Sequence, residues 1–286
     1  MHLRLPKSLA AAPFAGVILL LLAGCEGEPT TNQVCDTHPE LCEGLNIGDG
    51  QCRFERSDLI FKRLAVDEKP SDLNKLAELK QTQVYLRCME LVAGIEPTTL
   101  KQRKTKRTEA VYHAYDSIER LERELKDSYQ PPVIYYRWSQ GDNSALPQFL
   151  KLEGTQHLET PQLQLGLATY YVSRDRPKTV RILLHVLELY DGNDEEVRDK
   201  VIPEAIKSLA TTNHALERFD HAYLWAKVGK DYNLPIADSD RLARLYPLSE
   251  ERRNQLESLA KDISSAIRDG DFEATLVNAL DPKEPT

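Results

Sequence analysis

Leu163-Gln164-Leu165-Gly166-Leu167-Ala168-Thr169-Tyr170-Tyr171, the polar turn Ser173-Arg174-Asp175-Arg176-Pro177, and then Val180 to Leu189 decide the fold class. Two apolar-rich runs flank one turn, which predicts a helix–turn–helix unit. An earlier unit has the same order. Tyr135-Tyr136-Arg137-Trp138 precedes the turn Ser139-Gln140-Gly141-Asp142-Asn143, and Ala145 to Leu152 follows it. A third runs from Ala205 to Tyr232 and turns near Arg218-Phe219-Asp220. Its Ala222 and Ala226, four residues apart, let two helices approach closely; Trp225, Tyr232 and then Pro235 follow.

Ser139 and Ser173 stand 34 positions apart, the period of tetratricopeptide repeats. Leu165-Gly166, then Tyr170, then a polar turn also resembles that motif. The next spacing slips to about 44, partly through the acidic loop Asp191 to Glu196, so the repeat is degenerate. The resemblance implies an α-solenoid over residues 131–280, with a concave face able to take extended peptide. Tyr136, Trp138, Tyr170, Tyr171, Tyr223 and Trp225 are the candidate aromatics of that face, weighed against a packing role.

Upstream, residues 71–130 read as a helical hairpin. Ser71 is placed as an N-cap with Asp72 in the first turn. Val84, Cys88, Leu91 and Ile95 recur at four, three and four, and Pro97 ends the run. A second helix from Thr98 to Asp127 carries Val111, Ala114, Ile118, Leu121 and Leu125 at coiled-coil spacing. Downstream, Ser249 caps a helix with Leu256, Leu259, Ile263 and Ile267 on its buried face, and Gly270 punctuates it. Asp271 to Leu280 reads as a last short helix, and 281–286 as a disordered tail. Low glycine, plentiful Leu, Ala, Glu and Lys, and few strand signals make the class all-α.

The N-terminus supplies an address. Arg4 and Lys7 precede an apolar run, too short to span a bilayer comfortably, that closes on Leu22-Ala23-Gly24-Cys25. That ending resembles the lipobox of bacterial lipoproteins. It implies a cleaved signal peptide over 1–24 and an acylated Cys25 held in a lipid bilayer. Residues 25–33 then form a tether. Glu26 rather than Asp after the cysteine points to the outer membrane, on its periplasmic face. Cys35, Cys42, Cys52 and Cys88 remain, an even set that reads as two disulfides with the pairing open among three choices. A metal site joining His38 to Cys35 and Cys42 is disfavoured because the cysteine gaps are six and nine residues. The disulfides would staple a loop-rich cysteine module, residues 34–70, onto the helix carrying Cys88.

Without residues 1–24 the chain carries 35 basic and 45 acidic residues, net −10, which argues against nucleic-acid binding. No nucleophile elbow, zinc helix or phosphate loop occurs, so no catalytic residue, metal or cofactor is assigned. His185 and His214 read as structural. The sharpest anomaly is basic: Lys101, Arg103, Lys104, Lys106 and Arg107 crowd the start of a helix, where the macrodipole disfavours them. They form a candidate patch for anionic groups, set against a solvated face balanced by Glu109, Glu119 and Glu122.

Val34-Cys35, His38-Pro39-Glu40-Leu41-Cys42, Leu45-Asn46, Gly50, Cys52-Arg53, Glu55-Arg56 and Leu59-Ile60 follow the lipobox in order. This pattern resembles a family of gamma-proteobacterial lipoproteins, domain of unknown function 2989. The resemblance supports an envelope address and transfers no catalytic or binding residue. The expected function is a membrane-anchored, non-enzymatic scaffold recruiting an envelope protein or peptide. The competing expectation is a ligand-binding protein or enzyme acting on peptidoglycan or lipid.

Overall fold

The computed structural model describes residues 29–95, 102–278 and 280. Residues 1–28, with the lipobox and Cys25, lie outside that set, as do Pro97, Lys101 and the tail 281–286. All regular elements among the described residues are helical. Chain order begins with α1 (Thr31–Thr37), α2 (Pro39–Cys42), α3 (Arg53–Glu68), α4 (Asp72–Ala93) and α5 (Gln102–Leu125). It continues with α6 (Pro131–Ser139), α7 (Leu146–Leu150), α8 (Pro161–Tyr171), α9 (Arg176–Glu188), α10 (Ile202–Ala215) and α11 (Phe219–Asp231). The last three are α12 (Ser239–Leu245), α13 (Glu250–Asp269) and α14 (Thr275–Asn278).

Capping chemistry sets many of the boundaries. Ser71 Oγ accepts from Asn74 N at 3.2 Å, Asp175 Oδ1 from Lys178 N at 2.9 Å, and Ser249 Oγ from Arg252 N at 3.2 Å. Thr30 and Gln33 close a capping box on α1, so helix begins inside the segment read as tether. Pro131-Pro132 opens α6, because the first turn of a helix leaves amides unpaired anyway. Gly270, at φ +77°, ends α13 in the left-handed region.

The expected hairpin is present, with α4 packed on α5, and a third helix joins it. A long α3, absent from the sequence reading, packs on α4, so α4 is the middle helix of three. Its buried residues are Leu76, Leu79, Tyr85, Leu86, Met89 and Val92. The expected seam is wrong for α4: Val84, Leu91 and Ile95 are exposed, and only Cys88 is partly covered. The α5 seam is as expected, with Ala114, Leu121 and Leu125 buried and Val111 and Ile118 partly so. Arg63 and Glu78 are buried between these helices, with Arg63 Nη1 donating to the carbonyls of Leu41 (2.9 Å) and Glu43 (3.2 Å).

From α6 onward, helices pack on their sequence neighbours: α6 on α7 and α8, α8 on α9, α9 on α10, α10 on α11, α11 on α13. One continuous apolar core runs from Ile134 to Val277. Gly166 lets α8 lie close against α6, since a Cβ there would sit 2.4 Å from the Tyr135 ring. A π-helical turn over Val197–Val201 leads into α10, and the extra chain of 190–201 accounts for the longer second spacing. No described helix is long and apolar enough to cross a membrane.

Candidate functional site

The cysteines pair as Cys35–Cys42 and Cys52–Cys88. The first closes α1 onto α2; the second ties the start of α3 to α4, across 36 positions of sequence. Each sulfur is therefore spent on its partner rather than on a metal. His38 faces Glu40 (3.4 Å) and Asp67 (3.9 Å) instead of joining the cysteines. Cys52, Glu55 and Cys88 bring three potential ligand atoms within 4.8 Å, but two of these are the disulfide sulfurs.

The five basic positions separate. Arg103, Lys104 and Lys106 are exposed on the first turns of α5, and Lys101 lies outside the described residues. Arg107 must be removed from the patch, because its side chain is only 6% exposed and holds Asp49, itself 6% exposed, at 2.7 Å. Its Nη1 also reaches the carbonyls of Val92 and Ile95, each at 3.3 Å. Arg107 thus caps the end of α4 and clasps loop 44–51 to it. Burial pushes the Asp49 carboxyl up, but the bonds from Arg107 and the Gln51 amide outweigh it and hold the group below its usual range. The same loop is pinned by Asn46 N donating to Tyr85 Oη at 2.9 Å, and by Arg56 donating to the carbonyls of Asn46 and Asp49.

The aromatics separate too. Trp225 and Tyr223 are core residues at 0% and 1% exposure, and Tyr136 is buried against Leu79, Leu121 and Leu125, so these three form no binding face. Tyr223 and Trp225 are covered because α11 is enclosed by α10 on one side and α13 on the other, and Tyr136 because α6 packs on α4. Trp138, Tyr170 and Tyr171 are partly exposed and contiguous. Trp138 stacks on Phe149 with centroids 5.5 Å apart and meets Tyr170 edge-on at 6.3 Å, and Tyr170 meets Tyr171 at 4.9 Å. Two cations lie over this row: Arg174 at 4.2 Å from the Tyr170 centroid and Lys178 at 3.8 Å from that of Tyr171. Glu153 accepts from Lys178 at 2.5 Å and from Tyr171 Oη at 2.7 Å, and its bond raises the lysine's pKa. The row offers flat apolar area edged by positive charge, suited to an apolar segment that carries carboxylates. Its cations went unnoticed in sequence because Arg174 lies in the turn and Lys178 in the following helix.

A cleft of about 470 Å³ opens between the cysteine module and α3–α5. Arg63, Glu78, His113, Ser117 and Arg120 line it. Glu78 Oε1 stands 3.1 Å from Arg120 Nη2 and 3.9 Å from Arg63 Nε. Burial, then the nearby Arg63 charge, lowers the pKa of His113. Gly44, at φ +71°, lies directly on that ring; a Cβ there would come 2.0 Å from it. Elsewhere, His185 bridges Glu159 (2.6 Å) and Glu188 (3.4 Å), while His214 packs on Phe219 and Tyr246.

The family described as "Protein of unknown function (DUF2989)" matches residues 22–227, and the chain belongs to it. No curated protein and no solved structure matched the chain.

Proposed function

We propose that this member of the DUF2989 family is a lipid-anchored, non-enzymatic scaffold of the bacterial cell envelope, recruiting an envelope protein or peptide through its stacked helices. The observation carrying the reading is Leu22-Ala23-Gly24-Cys25 at the close of a short apolar run behind Arg4 and Lys7. An acyl chain contributes about 0.8 kcal/mol per buried methylene, so several on Cys25 would hold the body at a membrane. Glu26 favours the periplasmic face of the outer membrane. The row Trp138–Tyr170–Tyr171, with Arg174 and Lys178 over its rings, supports a peptide-contact role for the helical stack. The likeness of this stack to tetratricopeptide repeats belongs to the same proposal.

Two measurements test it. Cys25→Ser moves the protein from the membrane to the soluble fraction and abolishes labelling by radioactive palmitate; retention of both sinks the anchor. In-cell crosslinking of the parent yields a stoichiometric protein adduct, and Trp138→Ala with Tyr170→Ala reduces it. An adduct indifferent to those changes removes the aromatic row from the scaffold. A second reading, a small-ligand protein acting on peptidoglycan or lipid components, is favoured by the Arg63–Glu78–Arg120 cleft. A small molecule copurifying with the parent and lost in Arg120→Ala, without a protein adduct, would replace the scaffold by it.

A further inference from the structure

The N-terminal unit has one chemically distinct end. Helix α3 starts there, α4 finishes there and α5 starts there, because Cys52–Cys88 ties the first two and Arg107 ties loop 44–51 to the last carbonyls of α4. Large apolar side chains stand in solvent on this end: Leu91 at 78% exposure, Phe54 at 68%, Ile95 at 54% and Ile47 at 51%. Single exposed apolar residues are ordinary, but four gathered at one end of a three-helix unit call for a cover.

Charge identifies the cover. Segments 44–55, 87–95 and 102–109 hold six basic residues against four acidic, in a chain whose net charge is −8. Arg107 and Asp49 neutralise each other, which leaves five basic residues against three acidic, and of these Glu90 accepts from Tyr115 Oη. Arg103 and Lys106 are exposed on the first turns of α5, the helix whose Arg107 reaches the Ile95 carbonyl, and Lys106 lines a shallow pocket together with Ile47. Exposed aliphatics beside cations match the two layers of an anionic bilayer surface, acyl chains below and phosphates above.

Chain length brings this end to the membrane. Thr31 Oγ1 lies 3.2 Å from Ser57 Oγ, in the second turn of α3. Five residues lie between Cys25 and Thr31, and the six steps from one to the other span at most about 20 Å. A bilayer holding Cys25 therefore lies within about that distance of the start of α3.

We infer that the α4–α5 end of the N-terminal unit, with Ile47, Phe54, Leu91 and Ile95 among Arg103 and Lys106, is a second membrane contact that docks on anionic phospholipid. The chemistry stands without acylation; its orientation rests on the lipobox reading. With the lipid, this contact would set the angle at which the helical stack leaves the membrane.

The test separates contact from anchor. The chain from Glu26 keeps all the described elements, and a hexahistidine tag at its N-terminus is held by nickel-chelating lipid in vesicles with brominated acyl chains. In Leu91→Trp, the introduced indole is quenched when the vesicles contain phosphatidylglycerol and is not quenched in pure phosphatidylcholine. Without the nickel lipid, Arg103→Gln with Lys106→Gln lowers partition onto phosphatidylglycerol vesicles about 25-fold, near fivefold per charge, and added salt does the same to the parent. Both positions are exposed, so an unchanged circular dichroism spectrum accompanies the loss. Absence of quenching in both vesicle types, or partition indifferent to the two substitutions, overturns the inference. Binding to polyglutamate without binding to vesicles also overturns it, by giving the surface to an acidic protein. None of these outcomes depends on Cys25 being acylated in the cell.

Discussion

Arg107→Ala should be the most damaging single change among the basic residues that open α5, although its neighbours there are exposed. The substitution strands the Asp49 carboxylate, 6% exposed, and the carbonyls of Val92 and Ile95. Breaking a buried pair by removing one partner costs about 3–5 kcal/mol. Loop 44–51 is thin and open at Gly48 and Gly50, so water can reach the carboxylate once the loop lifts. That places the cost near 3 kcal/mol at the lower end of the range. Both tryptophans lie outside this unit, so amide exchange of residues 44–51 is the better assay. A 3 kcal/mol loss accelerates exchange of those amides by roughly 100-fold. Arg107→Met with Asp49→Asn removes both charges and retains an acceptor for the Gln51 amide, so it should cost clearly less than Arg107→Ala. The pH dependence carries a sign. The folded pKa of Asp49 is lowered below 3.8, so its contribution is present above that value and fades as pH falls through the folded pKa. In Arg107→Ala the burial influence is unopposed by the guanidinium, the folded pKa rises, and acidification through pH 4 should restore part of the protection. Exchange within threefold of the parent, or a double variant as costly as the two single changes together, would refute the reasoning.

Three further outcomes are expected. Removing Cys52–Cys88 should cost about 4 kcal/mol and removing Cys35–Cys42 about 2.5 kcal/mol, from loops of 36 and 7 positions, read by urea unfolding of the paired serine variants. Gly166→Ala should destabilise the helical stack by about 1–3 kcal/mol in thermal unfolding, because its methyl group displaces the Tyr135 ring; an unchanged Tm would show that the ring moves without cost. Burial lowers the pKa of His185, but its bonds to Glu159 and Glu188 outweigh that and leave it above 6.5. Its contribution is therefore present below pH 6.5 and lost as pH rises through the folded value. Glu188 also accepts from the Ala274 amide at 2.8 Å, so exchange near residue 274 should quicken on that rise, and His185→Gln should flatten the profile.

Caps and turns made most helices legible. Ser71 and Ser249 announced their helices because the signal is local, a side-chain oxygen on an amide three residues on. Faces were harder. Helix α4 packs against both α3 and α5, so it needs apolar side chains around much of its circumference, and spacing alone could not choose Leu79–Met89 over Val84–Ile95. Helix α3 was hidden because Cys52 opens it at φ +52° with no side-chain cap, and its cysteines suggested loops. Arg107 did leave a trace. It precedes Ala110, Ala114, Ser117 and Leu121 at helical spacing, on the face that α5 buries, while Arg103, Lys104 and Lys106 remain exposed. Its partner Asp49 is 58 positions away, a separation no local pattern encodes. The same holds for Tyr223 and Trp225, whose burial is completed by α13.

The family match closes at residue 227, inside α11, whereas packing does not close there. Tyr223 Oη donates to Glu257, Lys227 reaches the same carboxylate at 2.8 Å, and Trp225 meets Phe272 edge-on at 6.2 Å. A fragment trimmed to the region of recognisable similarity would end in mid-helix with its largest aromatic unroofed. The boundary that evolution leaves readable and the boundary at which the chain can stand alone are about fifty residues apart, and it is the second that any expression strategy has to respect.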